Sequence, residues 1–200
     1  MSFNLGKSLT KLIIASNNDG KIEEFIQLLS GIPLVVMGQP KHLEVEETGV
    51  SFAENARIKA IAVAKATGEM ALADDSGLSV GSLGGAPGVF SARYANTDLE
   101  RVSRLLKELE MVDDRSAFFS AALCLASSKG EVLLELDGRC DGIITTTPRG
   151  KFGFGYDPIF EVKGTGLTFS EMDSKQKREL SHRGLAVKKL IPSLKKILDS

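Results

Sequence analysis

The sequence SAFFSAALCLASSKGEVLLELDGRCDGII, Ser116 to Ile144, contains two long and largely apolar runs separated by Ser128-Lys129-Gly130. The runs Ser116–Ser127 and Glu131–Ile144 predict two long β-strands, and the short loop between them predicts a hairpin. Helical and strand patterns alternate along the rest of the chain, as they do in α/β proteins. Because a hairpin is antiparallel, we expect an α/β protein with a mixed sheet rather than a fully parallel one.

The rest of the chain predicts three further strands and four helices. The predicted strands are Lys11–Ser16, Leu34–Met37 and Met70–Ala73, and the predicted helices run from Ile22 to Gly31, from Ser51 to Gly68, from Thr97 through Leu109, and onward from Ser181. Ser51 with Glu54 and Thr97 with Glu100 form capping-box patterns at two helix starts. Pro192 lacks a backbone N–H, so we expect it to kink the last helix or split it in two.

Composition excludes several classes of protein. The chain has 200 residues with 25 basic and 26 acidic side chains, a balance that argues against sequence-independent binding to nucleic acid. Its longest near-apolar run, Ala117–Ala126, is about half the ~20 residues of a spanning helix, so no membrane segment is expected. Cys124 and Cys140 are the only cysteines, and we interpret them as reduced residues of a cytosolic protein. Neither His42 nor His182 has a second ligand at zinc spacing.

The first candidate site is Ser16-Asn17-Asn18-Asp19-Gly20-Lys21, between a predicted strand and a predicted helix. Such a junction directs free backbone N–H groups and the positive end of the helix towards one point, where a phosphate can bind. Lys21 adds a positive charge. The alternative is an ordinary Asn/Asp-rich turn with a solvated lysine.

The second candidate site is Asp74-Asp75-Ser76-Gly77, which we place directly after the short strand Met70–Ala73. Adjacent carboxylates at a strand end suit a magnesium site or a general base, although only one of the two can face a given cleft. The alternative is that the pair only caps the next turn. One member of the acidic group Glu44, Glu46 and Glu47 could complete a metal site, or the group could be a solvated loop.

The third candidate site is the glycine- and aromatic-rich stretch Gly150–Pro158, whose backbone could wrap around a flat ligand and stack a ring on it. The alternative is a tight loop whose aromatic side chains cover the core. The glycines between Gly81 and Gly88 have the wrong spacing for a dinucleotide site. We interpret them as a structural loop that holds Ser91–Tyr94 in place.

The fourth candidate site combines Lys177 with Ser181-His182-Arg183 at a helix start, where Ser181 can act as the N-cap. Cations in a first turn oppose the helix dipole. The positions three and four residues beyond His182 and Arg183 hold no acidic partner, so both are expected to be unpaired and available to an anionic or carbonyl-rich ligand.

Taken together, these motifs form one ordered pattern that spans almost the whole chain. Its strings are SNNDGK (16–21), SFAENARIKA (51–60), ADDSGL (73–78), LGGAPGVFSARYA (83–95), GFGYDPIF (153–160) and SHRGLA (181–186). The pattern resembles the inosine triphosphate pyrophosphatase family, whose members are also described as dITP/XTP pyrophosphatases. The resemblance begins near residue 11, so residues 1–10 form an N-terminal extension outside it.

The resemblance implies an elongated, two-lobed α/β fold around a long mixed sheet, with a substrate cleft between the lobes of one domain, residues 11–200. It implies a homodimer that hydrolyses ITP, dITP and XTP to the monophosphate and pyrophosphate with Mg²⁺, and the reduced cysteines make the expected location cytoplasmic.

Family roles carry over to residues of this chain. Glu46 and Asp75 would bind the metal, and Asp75 would also accept a proton. The substrate-binding residues would be Ser16, Asn17, Asn18, Asp19, Gly20, Lys21, Ser76, Phe154, Gly155, Tyr156, Asp157, Lys177, His182 and Arg183.

Base selectivity follows from hydrogen-bond chemistry. The purines of ITP and XTP carry an oxygen at C6 that Lys177, His182 or Arg183 could bond, and the amino group of adenine would leave buried donors unpaired. Two other functions remain open at this point: a Maf-type pyrophosphatase acting on another modified nucleotide, and a nucleotide sensor without turnover.

Overall fold

A single mixed sheet of six strands organises the molecule. The computed structural model describes residues 10–199, so the predicted N-terminal extension lies outside the described residues except for Thr10. The strand order is β2-β1-β3-β4-β5-β6, with β1 parallel to β2 and β3 and every other pair antiparallel. The strands are β1 (Thr10–Ile14), β2 (Leu34–Gly38), β3 (Met70–Val80), β4 (Ser116–Ala126), β5 (Val132–Ile144) and β6 (Phe160–Val162). The predicted mixed α/β sheet is confirmed.

The described part of the chain has five α-helices. They are α1 (Asp19–Leu28), α2 (Phe52–Thr67), α3 (Asp98–Glu108), α4 (Ser174–Leu180) and α5 (His182–Leu198). Of these, α1, α2 and α3 connect strands, and α4 and α5 follow β6. Short 3₁₀ turns lie at Gly81–Leu83, Gly88–Arg93 and Asp157–Ile159. Within residues 10–199, no helix combines the length and the apolar composition needed to cross a membrane.

The predicted hairpin forms the centre of the sheet. Strands β4 and β5 pair antiparallel from Ser116↔Ile143 onward, and their observed ends lie within one residue of the predicted ones. The prediction for β3 is wrong in length. This strand continues to Val80, because its antiparallel pairing with β4 extends from Ala71 to Val80 and carries Asp74–Gly77 along inside the strand.

Strand β1 is short, and this leaves one edge of β3 open. The parallel pairing of β1 with β3 ends at Ile14↔Leu72. In the described part of the chain, that edge is next bridged where Ser79 faces Pro87. The backbone from Ala73 to Gly77 therefore borders a gap in the sheet.

Alternate side chains of the strands pack into separate hydrophobic cores on the two faces of the sheet. Leu72 and Leu125 pack with α1 and α5, whereas Ala71 and Cys124 pack under α2. A third cluster lies at the far end of β3–β5, beneath α3 and around Tyr156. Both cysteines are free, and burial raises the pKa of Cys124 to about 11 and that of Cys140 to about 12.

Two local predictions need correction. Helix α5 runs through Pro192 as one helix, so of the two predicted outcomes the split is wrong; Leu190 and Leu194 on either side of the proline are both buried in the same core. At the start of α2, Ser51 caps the helix as predicted, but the Glu54 carboxylate accepts the N–H of Val50 instead of closing the box. The box at Thr97 and Glu100 is complete.

Candidate active site

The open edge of β3 brings the polar motifs of the sequence together. Successive side chains of a strand point to opposite faces. Asp74 and Ser76 therefore lie on the side of α1 and α5, and Asp75 lies on the side of α2, where it meets Lys59. The prediction that the paired carboxylates face different sides is confirmed.

Asp74 is the centre of a buried ionic network. Its side chain is 1% exposed, and its Oδ2 accepts from Lys21 Nζ at 2.8 Å and from Arg183 Nε at 3.2 Å. The same oxygen accepts the Ser76 hydroxyl at 2.8 Å, while Ser76 Oγ accepts from Arg183 Nη2 at 2.7 Å. Arg183 Nη1 donates to Glu24 Oε2 at 3.0 Å. Two cations and two carboxylates are thus held together with side chains that are between 1% and 16% exposed.

The charges of this network follow from its geometry. Burial alone would raise the pKa of Asp74, but the Lys21 and Arg183 cations hold it well below its ordinary value. Burial lowers the pKa of Lys21, against the attraction of Asp74. The expectation that Arg183 is unpaired is wrong, because its partners Asp74 and Glu24 come from distant elements rather than from its own helix.

His182 differs from the predicted cation. The residue is 2% exposed, and its ring stacks on Phe119 with centroids 4.7 Å apart and planes 9° from parallel. Burial and the neighbouring Arg183 charge lower the pKa of His182 well below its ordinary value, so the imidazole is neutral. Neither ring nitrogen has a hydrogen-bond partner among residues 10–199. A ligand could supply one.

The segment Ser16–Lys21 lies between β1 and α1, as predicted, but α1 begins within it at Asp19 rather than at Ile22. Asn18 is the N-cap, and its Oδ1 accepts the Lys21 N–H at 2.9 Å. Gly20 allows a close approach: a Cβ at this position would lie 3.0 Å from Phe154 Cδ1. Lys21 is thereby directed at Asp74 and the gap beside β3.

A pocket of about 400 Å³ opens between α1, α4 and the glycine-rich loop. It is lined by Gly20 and Glu24 of α1, by Phe154 and by Lys177 of α4. The Lys177 ammonium lies 5.0 Å from the centre of the Phe154 ring, close enough for a cation–π contact. A flat ligand entering this pocket meets an aromatic face and a positive charge.

Asp157 fixes the floor of the pocket. Its Oδ2 accepts from Lys177 Nζ at 2.7 Å and from the Phe154 N–H at 2.9 Å. Burial raises the pKa of Asp157, against the attraction of Lys177. The predicted contact of Tyr156 with substrate finds no support: its side chain is buried in the core, and its hydroxyl donates to the Ser91 carbonyl at 3.0 Å. Gly155 donates its N–H to Asp98 at 2.7 Å.

A second carboxylate cluster lies on the α2 side of β3. Lys59 Nζ contacts Asp75 Oδ1 at 3.2 Å and Glu47 Oε1 at 2.7 Å, and it also donates to the Asp74 carbonyl at 3.0 Å. Glu46 is exposed, and within residues 10–199 its carboxylate makes no hydrogen bond or ion pair. The structure therefore brings Glu47, rather than Glu46, to Asp75.

The donor set at Asp75 suits a divalent cation. Burial raises the pKa of Asp75, against the Lys59 charge, and its buried Oδ2 lacks a hydrogen-bond partner among the described residues. The Lys59 ammonium shows that a positive charge fits between Asp75 and Glu47. Residues 10–199 contain no group of three or more His, Cys, Asp or Glu side chains placed to hold a metal ion. Asp75 and Glu47 are two carboxylates, the number that Mg²⁺ uses when it keeps several of its waters.

Comparison of the sequence with known proteins identifies the family to which the chain belongs. The Ham1 family model matches residues 12–193. The chain belongs to the Ham1 family. A dITP/XTP pyrophosphatase of Prochlorococcus marinus (strain MIT 9313) is 64% identical over 187 residues, which cover 94% of this chain and 92% of the relative. A dITP/XTP pyrophosphatase of Synechococcus sp. (strain CC9311) is 59% identical over 189 residues, covering 94% and 92%.

Solved structures of Ham1 proteins share the fold. The HAM1 protein from Coxiella burnetii superposes with a TM-score of 0.84 at 42% identity, covering 94% of this chain and 99% of that one. The Ham1 protein of Staphylococcus aureus gives a TM-score of 0.82 at 37% identity, covering 94% and 100%. The family resemblance found in the sequence and the predicted fold class are both confirmed.

Two residues of this Ham1 site, Glu24 and Lys59, were missed in the sequence, and Asp74 was placed in the second candidate site without its central role. Glu24 lies three residues after Lys21, so helical spacing already places the two side chains on one face of α1. Lys59 belongs to the SFAENARIKA string but has no local feature that distinguishes it from a solvated lysine. The central position of Asp74 depends on where its two cationic partners fold, which no local pattern reveals.

Replacing the central carboxylate should cost stability. Asp74→Asn leaves two buried cations without their shared partner, so the free energy of unfolding should fall by about 3–5 kcal/mol. Because the pKa of Asp74 is lower in the folded than in the unfolded chain, the folded protein binds fewer protons on acidification. The contribution is therefore complete at neutral pH and is lost as the pH falls below about 4.

Urea unfolding from pH 7 to pH 3 measures both effects. Asp137→Asn is the matched control, because Asp137 has a side chain that is 83% exposed and pairs with an exposed lysine. Equal losses in the two variants at pH 7, or an unchanged pH dependence in Asp74→Asn, would contradict the central role of Asp74.

Proposed function

We propose that this protein is a Mg²⁺-dependent nucleoside triphosphate pyrophosphatase that hydrolyses ITP, dITP and XTP to the monophosphate and pyrophosphate. One observation carries the proposal: the open edge of β3 has a buried cation pair, Lys21 and Arg183, on one side and the Asp75 carboxylate on the other. A ring-lined pocket adjoins it. The names of the curated relatives support the same activity.

The start of α1 binds the triphosphate in this proposal. Helix N-termini attract phosphate through free N–H groups and the helix dipole. Lys21 adds a charge that is already desolvated and held in position by Asp74, so little reorganisation accompanies charge development during the reaction. Mg²⁺, when bound by Asp75 and Glu47, would neutralise phosphate oxygens and lower the pKa of a bound water.

Asp75 acts as the proton acceptor in hydrolysis. Its Oδ1 is engaged by Lys59, and its Oδ2 is free to take a proton from the attacking water. The water oxygen forms a bond to the α-phosphorus, and the bond from that phosphorus to the bridging oxygen breaks. The electron pair leaves with pyrophosphate, and the proton passes to Asp75.

The pocket beside Phe154 takes the base. The ring offers a stacking surface, and Lys177 offers a donor to an oxygen at C6 of the purine. The unpartnered ring nitrogens of His182 offer a further hydrogen bond. Arg183 already has two carboxylate partners, so in this proposal it organises Asp74 and Ser76 first and contacts the nucleotide second.

A panel of nucleoside triphosphates tests the function. Purified protein is incubated with ITP, dITP, XTP, GTP, ATP and modified pyrimidine triphosphates with Mg²⁺, and pyrophosphate and orthophosphate are assayed separately. We expect pyrophosphate from ITP, dITP and XTP. Orthophosphate alone would indicate a phosphatase, a preference for the pyrimidines would favour a Maf-type activity, and binding without either product would indicate a sensor.

Asp75→Asn should nearly abolish turnover while the fold persists, because the shape of the side chain is kept and only its charge and basicity are lost. The expected loss in kcat is about 10²- to 10⁴-fold. The measurement is pyrophosphate release from ITP alongside thermal unfolding. A kcat in Asp75→Asn equal to that of the wild type would contradict the assignment of Asp75 as the general base.

The second metal ligand is tested by two neighbouring glutamates. Glu47→Gln should raise the Mg²⁺ concentration needed for half-maximal activity by about tenfold or more, since even outer-shell partners of a metal are worth about that much. Glu46→Gln is the matched control and should leave this concentration unchanged. If Glu46→Gln raised this concentration and Glu47→Gln did not, Glu46 would be the second metal ligand, as the family resemblance implies.

Phe154→Ala should reduce kcat/KM for ITP by roughly 5- to 150-fold, because base stacking contributes about 1–3 kcal/mol. Phe152→Ala removes the other ring of this loop that lines the pocket. Its side chain is 66% exposed and lacks the Lys177 contact of Phe154, so this change should cost less. Steady-state kinetics of the two variants decide the point. Equal losses would contradict the assignment of Phe154 as the one ring that stacks on the base.

We also propose, from family membership, that the protein is a cytoplasmic homodimer. Large apolar side chains on the surface, among them Phe90 at 61% and Ile143 at 46% exposure, are candidates for burial by a second copy. Light scattering in solution measures the mass directly. A monomer at micromolar concentration would contradict the proposal.

A further inference from the structure

The segment LGGAPGVFSARYA, residues 83–95, has no part in the chemistry described so far, yet it is held firmly against β3. Ser91 Oγ accepts the Leu78 N–H at 2.9 Å and donates to the Gly88 carbonyl at 2.6 Å. Gly77 leaves room for this contact, because a Cβ there would lie 2.4 Å from Ser91 Oγ. The segment is therefore a fixed platform beside the open edge of β3.

The glycine-rich loop of the pocket is tied to this platform at two points. Tyr156 donates its hydroxyl to the Ser91 carbonyl at 3.0 Å. Gly155 donates its N–H to Asp98 Oδ2 at 2.7 Å, and Asp98 begins α3 just after the platform. The first tie is buried in the core, whereas the second acts on the backbone next to Phe154.

The Asp98 carboxylate is itself held in place. Its Oδ1 accepts from Arg101 Nη1 at 2.6 Å, and Arg101 Nε donates to the Ala95 carbonyl at 3.0 Å. This leaves Oδ2 directed at the loop. A carboxylate bonded to an N–H forms a charge-assisted hydrogen bond, which is stronger than a neutral one.

We propose that Asp98 is a positioning residue of the enzyme: by accepting the Gly155 N–H, it holds the loop in the conformation in which Phe154 lines the nucleotide pocket. The proposal rests on the proposed function, since it takes this pocket as the site of the base. Asp98 has no contact with the carboxylates, cations or rings of the site, so it acts through the loop.

The Asp98 tie adds to restraints on the neighbouring residues, where the Phe152 N–H donates to the Ser170 carbonyl at 3.1 Å and the Phe154 N–H donates to Asp157. Asp98 is the partner that holds the Gly155 N–H. Gly153 and Gly155, on either side of Phe154, have φ values of +82° and +61°, in the left-handed region. Glycine adopts many other conformations there at little cost. Without Asp98, Phe154 would spend less time in the pocket. Part of the binding free energy of the substrate would then be used to order the loop.

Steady-state kinetics with ITP provide the first test. Asp98→Ala should raise KM about fivefold or more with kcat within about twofold, because Asp75 and Lys21 lie on other elements and keep their places. Asp98→Asn keeps an acceptor oxygen and should restore much of the loss. Glu100→Ala is the matched control: Glu100 lies in the same first turn of α3, but its carboxylate bonds to the Thr97 N–H and not to the loop.

A spectroscopic test does not depend on activity. The chain contains no tryptophan, so Phe152→Trp places a single reporter in the loop, at an exposed position. In this background, Asp98→Ala should lower the fluorescence anisotropy of the tryptophan and increase its quenching by acrylamide. Glu100→Ala should change neither.

The outcomes separate the two proposals. Unchanged KM and anisotropy in Asp98→Ala, or equal changes in Glu100→Ala, would overturn the role of Asp98 while leaving the activity intact. A wild-type protein that releases pyrophosphate from no triphosphate would overturn the proposed function. Lower anisotropy and greater quenching in Asp98→Ala without a change in KM would show that Asp98 orders the loop but does not position it for substrate. This result would also overturn the proposal.

Discussion

The buried carboxylate of Asp74 is the contact on which the arrangement of the site depends. It joins the start of α1, through Lys21, to the start of α5, through Arg183, across the middle of β3. A buried ion pair adds little net stability over a packed apolar cluster, because removing each charge from water is costly. The main effect of these ion pairs is to fix the positions of the Lys21 and Arg183 cations. The cations are desolvated and fixed before any ligand arrives, and such preorganised charge is the form of electrostatic stabilisation most effective in catalysis.

Charged groups occupy both faces of β3 because β3 is long and its neighbour β1 is short. Strand β3 extends through Val80 because β4 supports it along one edge, whereas β1 ends at Ile14 and leaves the other edge open. Neighbouring carboxylates then point to opposite faces yet border the same gap. Rigid strand backbone carries Asp74 and Asp75, and the pocket beside them is completed by a loop with glycines at positive φ. In the proposed function, the carboxylates of the reaction therefore lie on the rigid strand, and the ring that stacks on the base lies on the glycine-containing loop.

The sequence predicts local features of this chain well and distant pairings poorly. The hairpin from Ser116 to Ile144 and the cap at Thr97 depend on neighbours in sequence, and both were predicted. The length of β3 was underestimated because Asp74 and Asp75 are poor strand formers, and their place in the strand comes from pairing with β4. Arg183 finds its partners 109 and 159 residues away, so no rule about its own helix could reveal them. Helix α4 has only seven residues and no buried side chain, which leaves no apolar period to detect.

The neutrality of His182 bears on how a purine is distinguished. A neutral imidazole can present either a donor or an acceptor at a given nitrogen by changing its tautomer. Both nitrogens of His182 are buried and unpartnered among residues 10–199, so a neutral His182 by itself favours neither base. Lys177 has only donors, and the 2.7 Å contact with Asp157 keeps its ammonium at the pocket. An amino group facing that ammonium finds no acceptor, whereas an oxygen does. In the proposed function, discrimination between the two bases therefore falls to Lys177, which cannot change its hydrogen-bonding character, and it depends on the Asp157 carboxylate that holds Lys177 in place.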